Sequence, residues 1–264
     1  MGDFIKQYWD GQAEKYGDSH NASWGDNFAI DLEIQTIGKY ISEGSDVLDV
    51  GCANGYSTFR QFEKKLKSIT GIDFSKKMIS FANEKKKVLG LKDNISFLVG
   101  DVRSLPFHDE SFDVVYTTRV LINLRTWEEQ KNGINECLRV CRSDGTVVFS
   151  EAFWEPLVLL NSIRLLKQLP SLVEHDFNRY LKKYQIESYL NSQNISFKVD
   201  DFSSIYYLGS RFLRELVTKP ADYPGYSNPI NKIFYQIEGE YSGGGMGIQQ
   251  AYILKKEPQG KCQN

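Results

Sequence analysis

The chain has 264 residues, with 32 Lys and Arg against 34 Asp and Glu and a formal net charge of −2. That length suits one large α/β domain with a substantial core, and the near-balanced charge argues against a broad nucleic-acid footprint, which needs a basic face to neutralise phosphates. No apolar run approaches the ~18 residues of a membrane span and no signal-peptide core opens the chain, so a cytoplasmic protein is expected. The four cysteines show neither metal-ligand nor disulfide spacing. Cys52 lies in a Gly-containing loop, Cys137 and Cys141 are one helical turn apart, and Cys262 is in the tail, so all read as reduced thiols and no metal is expected. Met1-Gly2 opens like a myristoylation site, but Lys6 stands where Ser or Thr is required.

Residues 1–40 read as helical and aromatic, with Phe4, Tyr8, Trp9, Tyr16, Trp24 and Phe28 ahead of the first strand. Most of these rings are expected to bury one side of a sheet. Tyr16 and Trp24 flank the polar loop GDSHNASWGDN, which also holds His20, and are the better candidates for ligand contact.

From Ser45 to Ala152, the runs VLDV, SITGID, ISFLVG, FDVVYTT and GTVVFSE alternate with helix-compatible segments. This alternation predicts parallel strands joined by right-handed crossovers. In VLDVGCANGYST a strand ends in Asp49 and runs into a turn whose Gly51 and Gly55 let the backbone approach a ligand with no Cβ in the way. Asp73 closes the next strand at the neighbouring mouth. An ionised carboxylate there, facing two ribose hydroxyls, makes charge-assisted hydrogen bonds of about 1.5 to 3 kcal/mol each. The dinucleotide pattern G-x-G-x-x-G fails, because Ala53 and Tyr56 stand where the second and third Gly belong, and there is no G-x-x-x-x-G-K-[ST] run. A ribonucleoside ligand without phosphates fits best. Lys64, Lys65 and Lys67, and later Lys85, Lys86 and Lys87, read as solvated helix faces.

From Phe153 to about Asn194 the pattern turns helical, with LVLLNSIRLLKQL carrying apolar residues at helical spacing until Pro170 ends it. ISFKVDDFSSIYYL returns to strand, SRFLRELV to a short helix, and GIQQAYILKK to a last strand.

Taken in order, these motifs resemble the class I S-adenosylmethionine (SAM) dependent methyltransferases of small-molecule type. VLDVGCANG resembles that family's first motif, an acid followed by G-x-G-x-G, with Ala53 as a small replacement. FLVGDVRSLPFHDESFDVVYTTRVLINL resembles its adenine-side strand, connecting loop and fourth strand. ECLRVCRSDGTVVFSEAF resembles the helix, turn and fifth strand usually written RVLKPGG, with Ser143 and Asp144 replacing the Pro and first Gly and a turn still expected at Asp144-Gly145.

The resemblance implies a Rossmann-like, seven-stranded, mostly parallel sheet with flanking helices and a helical lid insertion, all in one domain. Its parts would be an N-terminal helical cap at 1–40, a SAM-binding core at 41–152, a lid at 153–194 that carries substrate identity, and C-terminal strands at 195–256 ending in an antiparallel hairpin-like pair. SAM would be held by Asp49, Gly51, Cys52, Ala53, Gly55, Asp73, Phe74, Asp101 near the adenine amine, Val102 and Thr118.

Transfer from a sulfonium is an in-line displacement in which positioning can supply on the order of 7 to 11 kcal/mol, with about 0.5 to 2 kcal/mol from aromatic faces near the cation. An alcohol oxygen needs a general base, whereas an amine needs little help. The catalytic candidates are His175 beside Asp176 in the expected lid, Glu151 ending the fifth strand, and Arg119; His108 falls in a turn and reads as structural. Arg119 and Asn123 would share a face if a helix begins after the fourth strand, and together could orient hydroxyls or a carboxylate. Trp24, Asn123, Asn178, Tyr180 and Tyr206 are the substrate-contact candidates. The expected activity is methylation of a small molecule, with O-methylation of a sugar or glycan precursor favoured by polar and aromatic lid residues. N- or C-methylation of a secondary metabolite or quinone-like ring, and a non-catalytic SAM-binding protein, are the alternatives. The expected partner is a small-molecule substrate, with no nucleic acid and no membrane span; a homodimer is left open.

Overall fold

The computed structural model describes residues 3–17, 19–218 and 225–255; Met1, Gly2 and Cys262 lie outside them. In chain order, α1 (Asp3–Tyr16) and α2 (Asn27–Gly38) precede β1 (Asp46–Val50), α3 (Tyr56–Phe62), β2 (Ser68–Asp73), α4 (Lys76–Val88), β3 (Ile95–Val99), β4 (Phe112–Thr118), α5 (Trp127–Val140) and β5 (Cys141–Ala152). Then come α6 (Trp154–Leu166), α7 (Lys183–Ser192), β6 (Ser196–Asp200), α8 (Ser204–Leu208), α9 (Arg214–Val217), α10 (Asn231–Glu240) and β7 (Gln249–Lys255). A π turn, Gly209–Leu213, joins α8 to α9.

Local chemistry starts these helices where the sequence changes from strand to helix. Asp26 accepts from Ala29 N at the head of α2 and Ser75 from Met78 N at the head of α4, each satisfying an amide the helix cannot. The Lys85–Lys87 run falls in the last turn of α4, where cations suit the negative end of the helix dipole.

The sheet has the order β3-β2-β1-β4-β5-β7-β6, and β7 runs antiparallel to both β5 and β6 while the remaining pairs are parallel. This is the seven-stranded, mostly parallel arrangement the sequence led us to expect. Every residue of β1 is buried, as a central strand covered on both faces requires. Alternate residues supply two cores, with Val47, Ile69, Tyr116 and Val148 on one face and Leu48, Val50, Val115 and Phe149 on the other. Between β1 and β4 the strand order reverses, and the loops there open a crevice at the carboxyl ends. Among the described residues, no helix is long and apolar enough to cross a membrane.

One local expectation changes. The 153–194 segment is not one helical lid: 167–182 contains no helix, and its path is set by Arg164 donating to Pro170 O at 2.9 Å and by Asn161 clamping Leu172 through both amide atoms (2.9 and 2.8 Å). The helix that follows, α7, sinks Ile186 and Leu190 into the sheet's core and so flanks the sheet. The closing strands β6 and β7 do form the expected antiparallel pair, with α8, α9 and α10 between them. Between Cys141 and Thr146 the pairing with β4 shifts register, so residues 142–145, where the turn was expected, bulge out of the ladder, and glycine is needed because a Cβ at Gly145 would lie 2.7 Å from Asp113 O and 3.1 Å from Arg142 O.

Candidate cofactor and acceptor site

The loop after β1 turns through left-handed residues, with φ +78° at Gly51, +48° at Ala53 and +79° at Gly55. A Cβ on Gly51 would lie 2.1 Å from Val120 Cγ2, and one on Gly55 would lie 2.8 Å from Phe97 and 2.9 Å from Phe59. Both glycines therefore admit neighbouring side chains, and Gly51 also lines the cleft. Asp73 braces this loop, its Oδ2 accepting from Ala53 N at 3.0 Å and its Oδ1 from Ser75 N at 2.8 Å. Burial pushes its pKa up to about 6.

Asp49 and Cys52 lie under the loop. The Asp49 carboxylate, buried and raised by that burial to about 6, accepts from Thr58 Oγ1 at 2.6 Å. Cys52 is buried with its Sγ against Gly71, and burial raises its thiol pKa. Asp49, Cys52 and Gly55 thus shape the loop from behind, while Gly51, Ala53, Asp73, Phe74, Asp101, Val102 and Thr118 line the cleft. Arg103, not anticipated from sequence, grips Asp101 through Nε at 3.0 Å and Nη2 at 2.6 Å and is itself held by Glu129 at 2.6 Å. Burial works to raise the Asp101 pKa, and the Arg103 hydrogen bonds outweigh it and hold the carboxyl below its ordinary value.

The cleft is closed from above by α1, which is tied down where Ser75 Oγ donates to Asp10 Oδ1 at 2.5 Å. Here the structure departs from the sequence reading: Tyr16 packs among Ala13, Ala22 and Met78, and it is Trp9 and Ser23 that face the cleft. Two buried polar atoms of residues lining this cleft, Trp9 Nε1 and Thr118 Oγ1, have no hydrogen-bond partner among the described residues. Buried polar groups are normally satisfied, so the cleft is built for a polar ligand that meets them, and a nucleoside between Asp73 and Asp101 fits that demand.

Beyond Arg119 and Asn123 the narrow cleft, about 80 Å³, opens into a chamber of about 470 Å³. Arg119 has φ +55°, its N–H donates to Ser150 O at 2.8 Å, and its own carbonyl accepts from Asn123 Nδ2 at 2.8 Å. The left-handed backbone turns the chain into a short 3-10 turn, Leu121–Asn123, rather than the α-helix whose face the two residues were expected to share. The Arg119 guanidinium lies 4.8 Å from the centre of the Trp24 ring, and its Nε donates to Glu33 Oε2 at 3.2 Å. Glu33 is fully buried and also accepts from Ser150 Oγ at 3.2 Å and Gln249 Nε2 at 2.7 Å. Burial pushes its pKa up to about 7, against the pull of Arg119. Sequence reasoning missed Glu33; the available signal was an acid between Leu32 and Ile34 in an otherwise apolar helix face.

Trp24, Asn123, Asn178 and Tyr180 line the chamber. Tyr206 does not: it is fully buried, with its hydroxyl donating to Asp26 Oδ1 at 2.5 Å. The next residue, Tyr207, is rotated by about 100° on the helix and takes its place, donating to Gln249 Oε1 at 3.1 Å. His175 is exposed on the chamber rim, its ring 4.3 Å from Phe177 and 5.4 Å from Tyr8, centre to centre, and no hydrogen bond joins it to Asp176 among the described residues. Glu151, expected as a base, is fully buried and accepts from Thr117 Oγ1 (2.7 Å), Val120 N (3.0 Å), Leu121 N (3.1 Å) and Ile122 N (3.4 Å). Its oxygens cap the turn that carries Arg119 and Asn123 and face no acceptor. His20 lies beside Tyr56 and His108 is exposed in its loop.

The family described as Methyltransferase domain matches residues 41–206. Among curated relatives, the 27-O-demethylrifamycin SV methyltransferase of Amycolatopsis mediterranei (strain S699) is 30% identical over 52% of this chain and 52% of its own length. The demethylmenaquinone methyltransferase of Thermotoga maritima is 35% identical over 40% of this chain and 42% of its own, and phosphoethanolamine N-methyltransferase 1 of Arabidopsis thaliana is 33% identical over 39% and 21%. The chain thus spans about a fifth to about half the length of these relatives. Among solved structures, the [4+2]-cyclase SpnF superposes with TM-score 0.57 and 20% identity over 88% of this chain and 82% of that one. Geranyl diphosphate methyltransferase in complex with GPP and sinefungin gives TM-score 0.57 and 13% identity over 86% and 77%. These structural likenesses show the fold alone.

Proposed function

Because the chain belongs to the methyltransferase-domain family, matched over residues 41–206, we propose that it transfers the methyl group of SAM to an oxygen of a small-molecule acceptor bound in the chamber. The observation that carries this reading is that Trp9, Ser23, Arg119 and Asn123 line both the cleft and the chamber, so a ligand in one meets a ligand in the other. When bound, SAM supplies an electrophilic methyl on a cationic sulfonium. Asp73 would accept from its ribose hydroxyls, Asp101 from its adenine amine, and Trp9 Nε1 and Thr118 Oγ1 would gain the partners they lack.

The chain's own contribution is positioning. Trp9, Trp24, Tyr180 and Tyr226 give the chamber flat faces that fix the plane of a ring and keep water away. Asn123 offers an amide to acceptor hydroxyls, as does Asn178, whose Oδ1 is buried without a partner among the described residues. This lining supports a sugar or glycan precursor as the acceptor. With Glu151 engaged in capping the turn, His175 at the rim is the base we assign to an alcohol oxygen. Leu157, Leu172 and Ile248 on the same walls favour a second reading, methylation of a secondary metabolite or quinone-like ring. The buried cysteines Cys52 and Cys137, neither of them in a disulfide among the described residues, support a reducing, cytoplasmic setting.

The test is incubation of the purified chain with methyl-labelled SAM and separate pools of nucleotide sugars, glycans, phenols and quinols. Label on a sugar oxygen supports the first acceptor class, and label confined to rings supports the second. SAM binding without transfer to any pool would leave a non-catalytic binding protein.

A further inference from the structure

The way Arg119 is held bears on the chemical class of the acceptor, given the reading that the chamber takes the acceptor. A guanidinium carries five N–H donors in a planar fork. In Arg119 the Nε donor is engaged by Glu33, and among the described residues no hydrogen bond takes Nη1 or Nη2. The side chain is only 17% exposed, so these four donors are not simply left to bulk water. They belong to a residue that lines both the cleft and the chamber.

The fork is also held still. Trp24 lies along one side, Glu33 fixes the Nε edge, and Glu33 is itself fastened by Ser150 and by Gln249, which accepts from Tyr207. The other arginine of the chamber, Arg211, is different: its Nη1 donates to Ser210 and its Nη2 to Asp26, and Tyr226 lies 4.6 Å from its guanidinium. Arg119 is therefore the chamber cation with a free, preorganised edge. Two parallel N–H groups on such an edge match a carboxylate, which accepts them bidentately. At the rim, Glu174 and Asp176 carry the opposite charge, so an anionic group is favoured at Arg119 and disfavoured at the entrance.

We propose that the acceptor carries a carboxylate docked on the Nη1–Nη2 edge of Arg119, with its ring against the aromatic walls, and that Glu33 is the positioning residue that orients this edge. Arg119 is then a specificity-determining residue.

The test is calorimetric titration of the intact chain, saturated with S-adenosylhomocysteine, with 4-hydroxybenzoate and with the isosteric neutral 4-hydroxybenzamide. The benzoate is expected to bind about tenfold or more tightly than the amide. Arg119→Gln should erase that preference, Arg119→Lys should restore it in part because an ammonium lacks the fork, and Glu33→Gln should reduce it in a variant whose thermal melt shows it folded. Equal affinity for the two probes, no binding of the benzoate, or a preference that survives Arg119→Gln overturns the proposal. Failure of the chain to bind S-adenosylhomocysteine at all would instead sink the methyltransferase reading on which it rests.

Discussion

Replacing Asp73 by Asn probes the cofactor cleft while sparing most of its loop. The carboxylate has two tasks: it accepts from Ala53 N at 3.0 Å and Ser75 N at 2.8 Å, and it lines the cleft where a ribose would sit. Hydrogen bonds to a charged acceptor contribute about 1.5 to 3 kcal/mol, and each 1.4 kcal/mol or so is tenfold in affinity. Loss of the charge should therefore weaken SAM and its demethylated product alike by about ten- to somewhat over a hundredfold. The amide nitrogen of Asn also faces one of the two backbone donors, leaving it without an acceptor at a cost of about 1 to 3 kcal/mol. For a chain of this size that lowers Tm by roughly 2 to 12 °C. Alanine would orphan both backbone amides and mix the two effects, so Asn is the more informative change. Calorimetry with both ligands, run below the variant's melting transition, separates them. Affinity for both ligands within twofold of wild type would refute the ribose role and leave Asp73 as a brace of the loop.

The buried acid Glu33 should leave a mark on stability against pH. Burial raises its pKa from 4.5 to about 7, so the folded chain holds the proton more tightly than the unfolded one; the resulting stabilisation is complete below pH 4.5 and is lost as pH rises to about 7. Glu33→Gln should therefore show a flatter fall in unfolding free energy across that window, measured by urea denaturation, and an unchanged slope would show that the group titrates normally. Ala53 sits at φ +48°, a conformation that strains an L-residue, so Ala53→Gly should hold or raise stability by up to about 1 kcal/mol; a clear drop in Tm would mean the Ala53 methyl packs productively. Glu151→Gln, which replaces one of two capping oxygens with a donor, should cost about 1 to 3 kcal/mol yet leave transfer by the folded fraction close to wild type. A folded, inactive Glu151→Gln would return this residue to the chemistry.

How much of the site could be read from sequence depended on whether its parts are contiguous in the chain. The β1 strand, its loop and α3 form one run, so Gly51, Ala53 and the acids at the strand ends were legible as a unit. The side each acid faces was not: Asp49 pairs in register with Gly71 inside the sheet and turns beneath the loop, whereas Asp73 ends its strand and reaches the cleft. Tyr206 and Tyr207 lie on a helix of five residues, too short for periodicity to say which ring is inward. In α6, Leu157 and Leu160 are buried while Leu165 and Leu166 are 73% and 81% exposed, so apolar spacing marked a helix without marking its buried face.

The chamber was the least legible part because its walls are assembled from segments far apart in sequence. Glu33 is 86 residues from Arg119 and 216 from Gln249, and nothing local in any of the three announces the others. The same dispersal limits what kinship can say. The family match over residues 41–206 contains the cleft acids and Arg119, but Trp9, Trp24 and Glu33 lie before it and Tyr207, Arg211 and Gln249 after it. Residues that would hold the cofactor are thus concentrated where the chain resembles its relatives, whereas the chamber draws its walls from both inside and outside that region. Acceptor identity has to be argued from the chamber itself, where the free edge of Arg119 gives the most specific chemical constraint.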